Sequence, residues 1–147
     1  MRRNFQGYTD DTCVALVGLG ASAISRLPQG HAQNAPSTSG YQGRIKAGTL
    51  AVERGFALTL EDRLRARAIE MLMCSFRIDL VELARDFGTF AELIAPACRT
   101  LAAQFEGDVT LNDTGFTILP QGRPLTRIIA AGFDAYAATG GRHSQAV

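Results

Sequence analysis

Cysteine and histidine are both scarce in this sequence. Three cysteines (Cys13, Cys74 and Cys98) lie 61 and 24 residues apart, and the two histidines are His31 and His143. None of the cysteines forms a CxxC pair and their number is odd, so neither a disulfide framework nor a zinc site is expected. Reduced thiols in a cytoplasmic protein are the default reading. Long hydrophobic runs are missing too. Arg2 and Arg3 precede the polar string NFQGYTDD, and the apolar run that follows is too short for a signal peptide or a membrane span. Concentrated positive charge is absent as well. Residues 1–55 carry six Lys/Arg against three Asp/Glu, and residues 56–147 carry nine against eleven, so neither half presents the basic face that nucleic acid requires.

What is present fits a soluble globular chain. Of its 147 residues 46% are hydrophobic and 20% charged, enough to bury one core, and this argues against disorder. The most informative stretch is VALVGLGASAISRLPQGHAQN, residues 14–34. Val14 to Val17 predict a short buried strand, Gly18-Leu19-Gly20 a sharp turn, and Ala21 to Ile24 the opening of a helix beside a bound molecule. Gly18-x-Gly20-x-x-Ala23 matches a dinucleotide fingerprint, but that fold needs a second strand ending in an acid about twenty residues later. The window QNAPSTSGYQGRI offers no carboxylate and no strand pattern, and the dinucleotide reading fails. A ligand-free strand-to-helix turn stands as the plain alternative. The strand has no visible sheet to join, which implies that these residues are the edge of a larger architecture.

Residues 36–55 read as a linker with a short helix from Tyr41 to Ala47, stopped at Gly48. From residue 56 the pattern is regular. A helix capped at Thr59 presents Leu64, Ala68, Met71, Leu72 and Phe76 on one face, with the methionines as core filler. A short helix spans Asp79–Phe87. A third, capped by Thr89, carries a stripe of Phe90, Leu93, Ile94, Ala97, Leu101 and Phe105, and Pro96 should kink or split it. A hairpin follows over residues 108–119. The last helix is predicted over residues 121–138, with Leu125, Ile128, Ile129, Phe133 and Tyr136 inward and Gly132 letting a neighbour approach. This order describes a winged-helix-like unit, and the fold class is mainly α (α+β). The shape often serves DNA binding. Here the recognition helix sets Arg99 against Glu92 and the wing carries Asp108 and Asp113, which would repel phosphates.

Several strings together resemble one family: RRNFQGYT (residues 2–9), GLGASAIS (18–25), AQN (32–34) and RGFALTLEDRLR (54–65) are similar to oxygen-independent coproporphyrinogen III oxidase. A haem-chaperone sister group usually has histidine at position 24 and tyrosine at position 26. The chain has Ile24 and Arg26, so the oxidase is the better match. Near the end, Leu119 of ILPQGR replaces the threonine that usually caps a helix there. The resemblance covers the whole chain but only the C-terminal third of the family. It implies residues 1–35 as the last part of a partial (β/α) radical SAM barrel, and residues 56–147 as a helical domain over the active site. It also implies a radical SAM enzyme of haem biosynthesis using S-adenosylmethionine and a 4Fe-4S cluster. In that chemistry a deoxyadenosyl radical takes hydrogen from a propionate of the porphyrinogen substrate, and carbon dioxide leaves. The cluster needs CxxxCxxC, which these three cysteines cannot supply, so the isolated chain is expected to hold no cofactor and to be inactive. The resemblance assigns Ile24 to the adenosyl site and, less directly, Phe5 and Gln6 to the cofactor and substrate pocket. Arg2 and Arg3 could pair with porphyrinogen carboxylates, but read from the residues alone they are solvated charges. No membrane or nucleic-acid partner is expected, and a severed barrel edge would favour artificial self-association.

Overall fold

The computed structural model describes residues 2–4 and 7–136, which divide into two compact units, one ending at Thr59 and the other beginning at Leu60. In the first unit β1 (Arg2–Asn4) and β2 (Gly7–Thr9) pair antiparallel. A second sheet contains β3 (Ile24–Leu27), β4 (Gly30–Asn34) and β5 (Val52–Ala57) in that order, all antiparallel. Helix α1 (Thr38–Lys46) connects β4 to β5; the Ser37 hydroxyl accepts a hydrogen bond from Gly40 N at 3.1 Å, and Gly48 follows at φ +70°.

Three expectations for this unit are corrected. Residues 14–17 do not form a buried strand: only Leu16 is bridged, exchanging two 2.8 Å bonds with Arg26, while Val14 and Val17 are 74% and 69% exposed. Apolar character alone did not supply a partner for the other backbone groups of that run. No helix follows the glycines. Ser22 takes φ +59°, which interrupts right-handed winding, and Pro28 sits in the two-residue turn joining β3 to β4, so Ile24–Leu27 becomes a strand. The stretch after Gln33, read as lacking a strand, holds the end of β4, and β5 crosses the 55/56 position where the linker was expected to end.

The second unit opens with α2 (Leu60–Ser75), whose Leu64, Ala68, Met71 and Leu72 are buried as the periodicity predicts. Strand β6 (Arg77–Asp79), unforeseen from sequence, precedes α3 (Leu80–Phe87), where the Asp79 carboxylate accepts from Glu82 N at 2.9 Å. Pro96 divides the next run as expected: a 3-10 segment (Gly88–Ile94) leads into α4 (Ala95–Gln104), with proline in its first turn where no backbone donor is lost. The tighter winding of the 3-10 segment turns Phe90 and Leu93 outward, contrary to the predicted stripe, while Ile94 and Leu101 stay buried.

Strands β7 (Val109–Asn112) and β8 (Gly115–Ile118) form the predicted hairpin and join β6 in the order β6-β8-β7. The long final helix is not found within the described residues. A 3-10 turn (Pro120–Leu125) leads into a short α5 (Thr126–Ala131), shortened by Pro124 and Gly132. Ile128 and Tyr136 are consequently exposed, whereas Ile129 and Phe133 are buried. Leu119 provides no side-chain cap at that start, in keeping with its replacement of threonine. Phe116 and Phe133 meet edge to face at 5.6 Å in the middle of this core.

Candidate functional site

The glycine turn of the first unit borders an open depression of about 450 Å³, lined by Leu16, Val17, Gly18, Leu19, Ser22, Ala23 and Ile24. Its walls come from the loop before β3 and from the first residue of β3. Gly18 is required by space: a β-carbon there would lie 2.7 Å from the Ile24 carbonyl oxygen. Gly20 takes φ +105°, open only to glycine at low cost. Ser25 Oγ accepts from Gly18 N at 3.1 Å, and Ser22 N donates to Ala35 O at 2.9 Å. Asn34, 8% exposed at the end of β4, donates through Nδ2 to the carbonyls of Gly18 (3.1 Å) and Gly20 (3.0 Å), while its backbone N–H donates to Ala23 O (3.0 Å).

Ile24 is 37% exposed on the wall of this depression, an apolar side chain available to a ligand. Phe5 and Gln6 lie outside the described residues. Arg3 is tied to the sheet through its carbonyl, which accepts from Arg26 Nη1 at 3.2 Å. His31, beside Arg26 and Phe56 across the sheet, is held below the usual imidazole range by burial and by the Arg26 charge. Asn34 and Ser25 carry no site role in the sequence reading. The available signal was an amide residue closing the strand that follows the glycine turn.

The lining mixes backbone polar groups with apolar side chains such as Ile24 and carries no metal-ligating side chain, so it fits an organic ligand better than a metal cluster. Thiols are poorly placed by contrast. Cys13 is exposed and held protonated by Asp11, Cys74 is half-buried, and burial pushes Cys98 up to about 11. Among the described residues no group of three His, Cys, Asp or Glu side chains converges to hold a metal ion, and no helix is long and apolar enough to cross a membrane.

Known proteins resemble the chain along its whole length. No family model matches. Coproporphyrinogen III oxidase (HemN) from Escherichia coli, a radical SAM enzyme, superposes with a TM-score of 0.84 at 33% identity, over 92% of this chain and 32% of its own. The fold of this chain is thus that of the matching third of a radical SAM enzyme. More particularly, oxygen-independent coproporphyrinogen III oxidases from Paracoccus denitrificans and Cereibacter sphaeroides are 50% and 51% identical over 100% and 94% of this chain. The chain is homologous to the oxygen-independent coproporphyrinogen III oxidases, and it spans about a third of the length of these relatives.

Proposed function

We propose that this chain serves as the C-terminal third of a radical SAM oxidase that decarboxylates coproporphyrinogen III to protoporphyrinogen IX, supplying one wall of the S-adenosylmethionine site and a domain over the substrate. The observation that carries this reading is Ile24: the residue that matches the family's adenosyl position stands exposed on the wall of the depression beside the glycine turn. Phe5 and Gln6, in the NFQGY string, are proposed to approach the same cofactor and the porphyrinogen. Bound S-adenosylmethionine, reduced by a 4Fe-4S cluster held elsewhere in the enzyme, supplies the radical chemistry at the propionate. This chain's own share is binding and orientation: Ile24 offers apolar contact, and the turn at Gly18–Gly20 lets backbone come close.

The first unit is read as the end of the partial barrel. Supporting this, all six residues of β5 are exposed, and Leu19 and Leu50 are left uncovered. The second unit is read as winged-helix-like, because a β6-β8-β7 sheet packs with α2, α3 and α4 around one core. Its wing carries acidic side chains, which favours protein or tetrapyrrole contact over nucleic acid. We place the protein in the cytoplasm, and we read the isolated chain as inactive because its cysteines are dispersed.

The test is a chimera in which this chain replaces the matching third of the Paracoccus denitrificans relative. Incubated anaerobically with coproporphyrinogen III, S-adenosylmethionine and a low-potential reductant that supplies electrons to the cluster, the chimera should form protoporphyrinogen IX, measured as porphyrin by chromatography after oxidation, and the isolated chain should form none. A folded, cluster-loaded chimera that neither binds S-adenosylmethionine nor turns over would favour a non-catalytic winged-helix module instead.

A further inference from the structure

The depression beside Ile24 is shaped by a turn that hydrogen bonds from β3, β4 and Ala35 hold in place. Residues 18–22 contain two positive-φ residues, Gly20 at +105° and Ser22 at +59°. The second is a backbone conformation that a side-chain-bearing residue keeps only when its surroundings enforce it. Ser22 itself is held by its N–H to Ala35 O at 2.9 Å, and the side chain that fixes the carbonyls ahead of it is that of Asn34. Asn34 lies at the end of β4, 8% exposed, and does not line the depression itself. Its single amide group donates to two carbonyls two residues apart, Gly18 O at 3.1 Å and Gly20 O at 3.0 Å. Its backbone N–H donates to Ala23 O at 3.0 Å, just before Ile24. One residue therefore brackets both ends of the turn. Two neighbours assist: Ser25 Oγ accepts from Gly18 N at 3.1 Å, and Gln33 Nε2 donates to Ser22 O at 3.3 Å.

We propose that Asn34 is a positioning residue for cofactor binding: by fixing the carbonyls of Gly18 and Gly20 from beneath, it sets the backbone that faces S-adenosylmethionine and the stance of Ile24. This rests on the reading of Ile24 as an adenosyl contact. Only a group with two N–H donors can make both bonds. Asn34→Asp keeps the shape but turns a carboxylate toward two carbonyl oxygens, reversing the attraction. Asn34→Ala removes both bonds. Ser25→Ala loosens the same turn at one point only.

The experiment uses the chimera described above, with radiolabelled S-adenosylmethionine in equilibrium dialysis and binding expressed per folded, cluster-loaded molecule. Asn34→Ala and Asn34→Asp should each raise Kd about tenfold or more, and Ser25→Ala about threefold, by analogy with the loss of hydrogen bonds that fix a binding surface. In steady-state assays the effect should fall on KM for S-adenosylmethionine more than on kcat. In the isolated chain, amide exchange at Gly18 should speed up in Asn34→Asp. A residue needed only for folding would lower the yield of folded protein and leave the Kd of the folded fraction unchanged. Kd values within twofold of the unaltered chimera for both Asn34 variants overturn the proposal. If those variants do not fold, Ser25→Ala decides by the same twofold criterion. If the unaltered chimera fails to bind S-adenosylmethionine at all, the reading of Ile24 falls, and this proposal with it.

Discussion

His31 carries a pH dependence that can be worked out from its surroundings. Burial and Arg26 lower its pKa in the folded chain, so between that lowered value and the ordinary value near about 6.5 the unfolded chain binds more protons than the folded one. Stability must then rise with pH through this window, so acidification across it removes this contribution, and below the lowered value His31 causes no further loss. Thermal melting of the first unit between pH 7.5 and 5.5 should show a drop that is smaller in His31→Gln. An equal drop in both would remove His31 as the cause. The residue scale is also where sequence reading reached least far. Gly18 stands out because glycines at a turn carry a pattern and Ile24 is singled out only by the family resemblance, whereas Asn34 acts through two hydrogen bonds across 14 and 16 residues, and no local periodicity encodes such a link.

Among the elements, α2 and α3 of the second unit are joined by a charged cluster rather than by apolar contact alone. Arg67 donates from Nη1 to Glu70 and from Nη2 to Glu82, each at 2.6 Å, and Glu70 is only 8% exposed. Burial disfavours the Arg67 charge, but the hydrogen bonds to Glu82 and Glu70 outweigh it and raise its pKa. Arg67→Ala takes this partner from a buried carboxylate and should cost roughly 2 kcal/mol in urea unfolding. Arg85→Ala, which breaks an exposed pair with Asp86, should change the midpoint immeasurably, and similar losses from the two would contradict the assignment. Element order in this unit was largely legible because α2, α3 and the β7–β8 hairpin carry helical periodicity, an Asp cap and an Asn-Asp-Thr-Gly turn. Strand β6 was not, since Arg77–Asp79 is only three residues long and is defined by its pairing with β8. The final helix is shorter than the sequence predicts because the apolar spacing from Leu125 to Phe133 and Tyr136 runs past Gly132, where α5 ends, and Pro124 confines the residues before Thr126 to a 3-10 turn.

For the molecule as a whole, the two units differ sharply in what they bury. The hydrophobic core runs through Leu64, Leu72, Ile78, Leu83, Phe116 and Phe133 in the second unit, whereas among the described residues of the first the buried apolar side chains are Ala35 and Ala51. Burial of apolar surface stabilises by about 25 cal/mol per Å². Hydrogen exchange followed by mass spectrometry should therefore show amides in α2 and β8 protected at least about a hundredfold more than those in β4 and β5. Equal protection would mean that the first unit is stabilised in some other way. The unevenness was visible in the sequence, where regular apolar spacing starts only near residue 60. The three-stranded sheet was not, because its strands alternate weakly and β5 has no buried face to reveal it. The contact between Gly18 and the Ile24 carbonyl has a consequence for inheritance. Any missense change in that codon adds a β-carbon where the next strand's backbone already lies, so the position is closed to genetic drift while the exposed Val14, outside the depression, is open to it.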